Sequence, residues 1–350
     1  MKPRAAFIVN SPGLQVRRAE AMRNQLACRL EIDVVVAPSL QQVLSGLREW
    51  TLVYVIDAGR AGFQAAAMSR LAGRPVIVEL GDPQAALYAA QSRGRLAMGL
   101  GRFVDRTVTL GATGVVVRGR ELANILDVRV PWVTIPDGVD LEQFRAGLGT
   151  GVRARLGLAD EDFVMGLVGS IVWSEARQIT YGMEIVEALS DLRDLPVYGL
   201  VVGDGTGIQH IVRRATELGV LDRVVMVGFV DHGDVANYIG AMDVCISTQT
   251  NDSIGRGRTT AKLPEYLACD RHVLSTAVPS ATAILPEEMI IQVGEPLGSD
   301  YYAAVAERVR ALLHRQPELR QSGGTRALAE QHFCYPLLAD RLHAFIQAVC

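Results

Sequence analysis

Short apolar runs alternate with longer amphipathic stretches along the whole chain. The runs are rich in β-branched residues, whereas stretches such as Val16–Arg29 and Gly62–Ala72 repeat apolar residues at helical spacing. Apolar strands separated by helices are typical of a parallel sheet covered on both faces. The strands predicted in the first part of the chain are Ala5–Val9, Glu31–Ala37, Leu52–Ile56, Val76–Glu79, Gly114–Val117 and Trp132–Ile135.

The same alternation starts again after the glycine-rich segment Phe144–Gly151, the best candidate for a linker. We therefore predict an α/β chain of two doubly wound, Rossmann-like domains that face a cleft, with residues 1–147 in the first and 148–333 in the second. Ligands of such sheets lie beyond the carboxyl ends of the strands, so a small molecule is expected in that cleft. The strands predicted in the second part are Phe163–Val168, Val197–Val202, Val224–Val227, Val244–Ser247, His272–Ser275 and Met289–Val293.

The composition is that of a globular protein of 350 residues, 49% hydrophobic and 21% charged, and its net charge of −3 gives no general affinity for nucleic acid. The charge is unevenly divided, since residues 1–147 carry a net +5 and the remainder carries −8. A positive first part could contact an anionic acceptor or a membrane surface. A surface that is merely rich in arginine is the other interpretation.

The five cysteines show no Cys-x-x-Cys pairing and no clustered histidines beside them. This pattern argues against a zinc site and a disulfide framework, and it favours a reducing compartment. The first apolar run is too short for a signal peptide, and no run approaches the roughly 18 apolar residues of a membrane span. We expect a cytoplasmic protein, or one peripheral at the inner face of the membrane.

Lysine is rare in this chain, because only Lys2 and Lys262 among the 35 basic residues are lysines. Lys262 lies where a polar loop meets the predicted helix Ala261–Ala268. A cation is disfavoured at a helix N-terminus unless an anion joins it, so Lys262 and Arg258 could together hold a phosphate or diphosphate. A surface loop with solvated charges is the alternative interpretation.

The run Val202–Gly207 superficially resembles a dinucleotide-binding fingerprint, but Ile208 occupies the position of the third glycine. Tight packing of a strand-to-helix turn is the preferred interpretation. The sequence has no Gly-Lys-Ser/Thr phosphate loop and no Gly-x-Ser-x-Gly elbow. All six histidines lie beyond residue 200 without metal-ligand spacing, and we interpret them as surface or packing residues.

Several segments, taken in chain order, resemble the retaining nucleotide-sugar glycosyltransferases of the GT-B fold, specifically the large family four. Ile135–Phe144 looks like the interdomain signature, Leu200–Ser247 like the central part of the donor domain, and Lys262–Asp270 like the donor-binding helix. The tail Phe333–His343 is similar to the helix that crosses back onto the first domain. The resemblance therefore implies that helix 334–350 joins the N-terminal acceptor domain.

The resemblance also implies roles for single residues. Glu265 would accept the ribose hydroxyls, Phe229 and Val230 would line the base pocket, and Gly13 would lie in the glycine loop close to donor or acceptor. Lys262, with Arg258, would hold the diphosphate and neutralise the charge of the leaving group, which needs no metal and no cofactor besides the nucleotide-sugar substrate.

Two departures from the family pattern are Gly257, where a sugar-side glutamate is usual, and Gly81 beside Asp82, where a histidine is usual. A third is that the arginine and lysine usual after the first strand of the second domain fall near Ser170 and Tyr181. Asp82 is then the catalytic candidate of the first domain, and Asn251 or Asp252 could replace the lost glutamate. We expect the pocket beside Gly257 to be roomier and less polar, and a modified-sugar donor to be preferred over UDP-glucose.

The leading function is the transfer of a sugar from a nucleoside diphosphate to a small molecule, a glycan or a lipid. The alternative is a catalytically weak or inactive relative that binds a nucleotide or a partner protein, which the two glycines favour and the pair of Glu265 and Lys262 opposes. A GT-B-like epimerase or phosphorylase comes third, because Asp82 and Glu79 are not expected to pair with a second group. A dehydrogenase comes last.

Overall fold

The structure, a computed structural model, describes residues 2–10, 12–57, 59–85, 88, 94–149, 151–175, 177–257, 260–292, 294, 297–322 and 324–350. The chain divides into two compact units. Unit 1 comprises Met1–Gly138, Asp252–Thr259 and Phe333–Cys350, and unit 2 comprises Val139–Asn251 and Thr260–His332. The expected boundary after residue 147 lies nine residues downstream of this division, and segment 252–259, expected in the second domain, is part of unit 1.

Unit 1 contains a parallel sheet of six strands in the order β2-β1-β3-β4-β5-β6. The order reverses between β1 and β3, which is the switch point of a doubly wound sheet. Strands β1, β3, β4 and β5 lie in the interior of the sheet and are almost entirely buried, which explains their continuous apolar sequences. The strands are β1 Arg4–Val9, β2 Glu31–Val36, β3 Leu52–Ile56, β4 Val76–Leu80, β5 Gly114–Val117 and β6 Trp132–Thr134.

Helices cover both faces of the unit 1 sheet and form two apolar cores with it. In one of these cores the C-terminal helix packs on the first helix, where Leu338 and Leu342 join Met22 and Leu26. The helices described in unit 1 are α1 Leu14–Leu26, α2 Leu40–Gly46, α3 Arg60–Leu71, α4 Arg95–Gly111, α5 Arg120–Ile125, α10 Ser253–Gly257 and α16 Tyr335–Val349.

Unit 2 contains a second parallel sheet of six strands, in the order β12-β11-β10-β7-β8-β9. Its switch point lies between β7 and β10, which pair with each other although three crossovers separate them in the chain. The strands are β7 Phe163–Val168, β8 Val197–Val202, β9 Val224–Gly228, β10 Val244–Ser247, β11 His272–Thr276 and β12 Ile290–Ile291. The predicted strand Met289–Val293 is shorter in the structure, because Met289 ends a 3-10 turn, and Val293 lies outside the described residues.

The helices of unit 2 pack around one large apolar core. Tyr301 and Val305 of its longest helix contribute fully buried side chains to that core. The helices described in unit 2 are α6 Val152–Arg155, α7 Met183–Asp191, α8 Ile208–Glu217, α9 His232–Gly240, α11 Lys262–Ala268, α12 Pro279–Thr282, α13 Ser299–Leu312, α14 Gln316–Gln321 and α15 Arg326–His332.

All five cysteines are free thiols, and Cys245 and Cys269 are buried. Burial raises the pKa of Cys269 to about 12, so this thiol is un-ionised at neutral pH. Within the described ranges, no helix combines the length and the apolar character needed to cross a bilayer.

Candidate functional site

The first residue of α11 in unit 2 is Lys262, as predicted from its loop-to-helix position. Its ammonium lies 4.9 Å from the centroid of the Tyr181 ring, which is cation–π distance. The side chain is half-buried, so it is neither in the core nor fully solvated. Helix α11 has seven residues and adds little dipole of its own, so any anion held here would depend mainly on the lysine charge.

A buried acidic residue lies within electrostatic range of Lys262. Glu184 of α7 is 1% exposed and accepts hydrogen bonds from Thr248 Oγ1 at 2.8 Å and from the Gly182 backbone N–H at 2.7 Å. Burial raises the pKa of Glu184, and both hydrogen bonds and the charge of Lys262 oppose that rise. Thr248 follows β10, so this network lies at the carboxyl edge of the sheet beside the switch point, where ligands of doubly wound sheets bind.

Glu265 lies one turn after Lys262 on α11 and is 8% exposed. Its Oε1 atom lies 2.9 Å from Nε2 of His232, the first residue of α9. The Gln143 amide Nε2 donates to the His232 carbonyl at 2.8 Å and lies 3.2 Å from His232 Nδ1. Because that amide is a donor, Nδ1 is the accepting nitrogen, and Nε2–H is left to donate to Glu265. Gln143 and His232 therefore orient the carboxylate.

The sequence did not identify Gln143 or His232 as site residues, because every histidine was interpreted as a surface or packing residue. His232 does pack on the Phe144 ring, with 5.3 Å between the ring centroids, and its contact with Glu265 is additional to that packing. Gln143 lies 89 residues and Glu265 lies 33 residues from His232 in the chain. The three carry no shared spacing signal, since the fold of unit 2 alone brings them together.

The two residues expected to line a base pocket, Phe229 and Val230, directly follow strand β9. Phe229 is 77% exposed and Val230 is half-buried. The Phe229 ring is thus not enclosed by the protein and could offer a face for stacking rather than a wall of a closed pocket. Asn251, expected on the sugar side, is exposed in the loop at the end of this part of unit 2.

The backbone of residues 169–171 packs closely against the glycine run that follows β8. A Cβ atom on Gly203 would collide with the Gly169 carbonyl, and one on Gly205 would collide with the Ile171 carbonyl. The Gly207 N–H donates to the Ile171 oxygen at 2.8 Å. These contacts support turn packing, because the backbone of residues 169–171 lies where side chains at positions 203 and 205 would stand.

At the switch point of unit 1, the side chain of Asn10 ties the ends of β1 and β3 together. Its Nδ2 donates to the Ile56 and Asp57 carbonyls at 3.1 and 2.7 Å, and its Oδ1 accepts from the Gly62 N–H at 2.9 Å. The Asp57 carboxylate accepts from Gln15 Nε2 at 2.8 Å. These hydrogen bonds hold the turn after β1 against the end of β3.

A buried charge cluster lies next to that switch point. The Glu79 Oε1 atom is 2.8 Å from Arg18 Nε and 3.0 Å from Arg118 Nε, and the Tyr54 hydroxyl donates to Oε2 at 2.5 Å. Burial alone would raise the pKa of Glu79, but the two arginines outweigh it and hold that pKa below its ordinary value. Glu79 thus pairs with two arginines and a tyrosine, and none of these partners is the second carboxylate that an epimerase would need.

The position of Arg118 also explains why residue 81 is a glycine. A Cβ atom on Gly81 would lie 2.7 Å from Arg118 Nη1 and 3.2 Å from Asp57 Oδ1. The guanidinium therefore holds the space that a side chain at this position would need. Asp82 follows in the bend after β4 and is half-buried, and Gly13 precedes α1 with a φ of 101°, a value that favours glycine.

The segment expected to carry sugar-side contacts packs into unit 1. Asp252 caps the short helix α10, since its Oδ1 accepts from the Ile254 and Gly255 N–H groups at 3.0 Å each. A Cβ atom on Gly257 would approach Ile125 Cδ1 of α5 to 3.3 Å. The space beside Gly257 is thus apolar, as expected, but it is filled by α5, and the expectation of a roomier pocket is wrong. Arg258 lies outside the described residues.

Within the described ranges, no group of three or more His, Cys, Asp or Glu side chains is placed to hold a metal ion. Lys262 and Glu265 lie in unit 2, whereas Gly13, Asp82 and Asp252 lie in unit 1. The arrangement around α11 joins an ammonium and an oriented carboxylate on one helix. That pair can hold a ligand with an anionic group next to hydroxyl groups.

The sequence of the chain matches a family model and several curated proteins. Residues 162–315 match the family model described as Glycosyl transferases group 1. D-inositol 3-phosphate glycosyltransferase of Geodermatophilus obscurus is 29% identical over 203 residues, which are 55% of this chain and 42% of that protein. The protein of the same name from Mycobacterium tuberculosis is 30% identical over 144 residues, 40% of this chain and 28% of that protein. The chain thus spans less than half the length of these relatives.

Solved structures resemble the chain over nearly its full length. Sucrose-phosphate synthase from Thermosynechococcus elongatus matches with a TM-score of 0.75 and 17% identity, covering 99% of both chains. The Anabaena protein HepE in complex with UDP matches with a TM-score of 0.76 and 16% identity, covering 99% of this chain and 100% of that one. At such identities the likeness establishes the fold, and it confirms the α/β architecture of the GT-B type.

Proposed function

We propose that the protein is a retaining, metal-independent glycosyltransferase, on the premise that residues 162–315 match the family model of the glycosyl transferases group 1. The donor is a nucleoside-diphosphate sugar, and the acceptor is a small molecule, a glycan or a lipid. The observation that supports this proposal most is the pairing of Lys262 with an oriented Glu265 one turn later on α11. HepE, which shares the fold, is also known in complex with UDP-glucose.

Lys262 binds the diphosphate in this proposal. The bond between the anomeric carbon and the diphosphate oxygen breaks, a new bond to the acceptor oxygen forms, and the acceptor proton leaves on the diphosphate. The negative charge that develops on the leaving group is stabilised by the fixed ammonium. Arg258 supports it in the same role, and Asp82 is the acidic residue that unit 1 contributes.

Glu265 accepts the ribose hydroxyls, and His232 is its positioning residue. The carboxylate has four lone-pair directions and uses one for His232, so others are left for two adjacent hydroxyl donors. Its orientation is set before the ligand arrives, which lowers the entropy lost on binding. Phe229 and Val230 contact the base.

Three further residues complete the proposal. Gly13 allows close approach of the donor or acceptor to the backbone of unit 1, and Asn251 and Asp252 contact the donor sugar.

A second candidate function is binding of a nucleotide without turnover. The observation that favours it is the Arg118 guanidinium, which takes the space beside Gly81 where family members usually have a histidine. A transferase could use that arginine instead, whereas a binding protein would need no group there. The two functions share the site at α11 and differ in product release.

Two measurements separate these functions. A thermal-shift panel with UDP, GDP, TDP and their sugars should raise the melting temperature with at least one nucleotide, because a ligand that binds the native state alone stabilises it. Release of nucleoside diphosphate from the best donor, followed with a panel of acceptors, then reports transfer. Binding without release under any acceptor would favour the second function, and a panel without any shift would contradict both.

A further inference from the structure

Helix α4 of unit 1 has an inner face that packs on the core. Gly101, Asp105, Val108 and Thr109 are its buried residues. Asp105 Oδ1 accepts a hydrogen bond from the Gln84 N–H at 3.2 Å, and burial raises the pKa of this carboxyl to about 6. The one acidic residue of α4 therefore points inward and adds no charge to the outer face.

The outer face of α4 is apolar and exposed. Leu96 is 92% exposed, Leu100 58%, Phe103 62% and Leu110 52%. These four residues are separated by four, three and seven positions, so at 100° per residue they form one stripe along the helix. Single exposed apolar residues are ordinary, but a continuous stripe of this kind marks a surface that contacts something apolar.

Three arginines border this stripe on one side. Arg95, Arg102 and Arg106 are exposed and are separated by seven and four positions, which places them in a second row about 100° around the helix. Arg102 and Arg106 also line a cavity of about 530 Å³ beside the helix, together with Arg129. The face thus combines an apolar stripe with a strongly basic margin.

We infer that the outer face of α4 docks unit 1 onto an anionic lipid bilayer. A helix with leucine and phenylalanine on one side and arginine beside them lies in the plane of a membrane surface, where the apolar residues enter the acyl boundary and the arginines meet lipid phosphates. The net charge of +5 on residues 1–147 adds long-range attraction to the same surface. The lipid is the anionic partner that the arginine row fits.

A second copy of the chain fits this face less well. In an isologous dimer with antiparallel α4 helices, the arginine row of one α4 would approach the arginine row of the other, and the acidic residue of α4 is buried and unable to compensate. The inference does not rest on transferase activity, because the docking face and the pair on α11 share no residue.

The test is flotation of the full chain with vesicles. We expect binding to vesicles of phosphatidylcholine containing about 30% phosphatidylglycerol and much weaker binding to pure phosphatidylcholine. The double variant Leu100→Glu/Phe103→Glu should lower the partition coefficient at least about tenfold, because it removes two membrane-inserting side chains and adds two negative charges. The triple variant Arg95→Gln/Arg102→Gln/Arg106→Gln should lower it by about fivefold for each arginine.

The matched control is Leu40→Glu/Leu44→Glu on α2, which adds the same charge to the same unit at leucines that are 48% and 51% exposed. It should bind anionic vesicles almost as the wild type does. Equal losses in the control and in the α4 double variant would overturn the inference. The inference would also be overturned if the wild type did not bind anionic vesicles. The same holds if the wild type sedimented as a dimer that the α4 double variant dissociates. An unchanged midpoint of urea unfolding shows that each variant is folded.

Discussion

Each unit places an acidic side chain near the carboxyl edge of its sheet, and the two are satisfied in different ways. Glu79 of unit 1 is 1% exposed, and both of its oxygens are engaged by Arg18, Arg118 and Tyr54. Glu265 of unit 2 accepts one hydrogen bond at Oε1, and its Oε2 has no partner in the part of the chain that the structure describes.

The difference separates a structural carboxylate from one that is available to a ligand. A buried carboxylate that is enclosed by its own ion pairs and hydrogen bonds has no exposed oxygen to offer a ligand. A carboxylate that is oriented at one oxygen and open at the other is ready for a hydroxyl donor. Substitutions should therefore affect folding in unit 1 and ligand binding in unit 2.

The largest effect is expected for Glu79→Gln. The change leaves Arg18, which is 2% exposed, without its closest negative partner, and breaking a buried ion pair in this way costs about 3 kcal/mol of folding free energy. Urea unfolding should show the loss as a lower midpoint, while nucleotide affinity of the folded protein stays unchanged.

The control for this substitution is Asp127→Asn, which breaks an exposed pair with Arg129 and should leave the unfolding transition where it is. A stable Glu79→Gln protein with lost nucleotide affinity would reverse the comparison between the units.

The next effect is expected for Lys262→Ala. Loss of a charged hydrogen bond to the diphosphate should weaken UDP and pyrophosphate binding alike by at least about 1.5 kcal/mol, or roughly tenfold. Isothermal titration calorimetry measures both ligands. Lys2→Ala, which removes the other lysine of the chain from an exposed position in unit 1, is the matched control and should change neither affinity. Unchanged affinity for both ligands in Lys262→Ala would show that Lys262 does not bind the diphosphate.

The smallest effect is expected for His232→Ala. The carboxylate of Glu265 stays in place but loses the hydrogen bond that orients it, so UDP should bind about 1 kcal/mol more weakly while pyrophosphate is unaffected. His232→Asn, whose shorter amide can still donate, should recover part of the loss. A His232→Ala protein that loses both ligands equally would show that the histidine supports the fold of the loop instead.

The alternation of the sequence predicts the fold closely, because buried parallel strands must be continuous apolar runs. Strands such as Leu52–Ile56, Phe163–Val168 and Val197–Val202 have their predicted bounds. The helix predicted over Ala261–Ala268 begins one residue later, at Lys262, because a polar loop, a helix-forming run and Pro264 in the first turn are local signals.

What the sequence could not predict depends on contacts between distant residues. The partners of Glu79 lie 61 positions before it and 39 after it, and a carboxylate in a strand reads the same whether it is paired or not. A glycine at position 257 fits two opposite environments that the sequence cannot distinguish, an open pocket or a crowded one. The distance from a Cβ atom there to Ile125 shows that the environment is crowded.

The most direct test of the central claim, that α11 recognises a nucleoside diphosphate through separate phosphate and ribose contacts, is titration of UDP and of pyrophosphate into the wild type and into Glu265→Ala. The account predicts that the substitution weakens UDP by about tenfold and leaves pyrophosphate unchanged, because a carboxylate repels phosphate and suits hydroxyl donors. Equal losses for the two ligands would contradict the account.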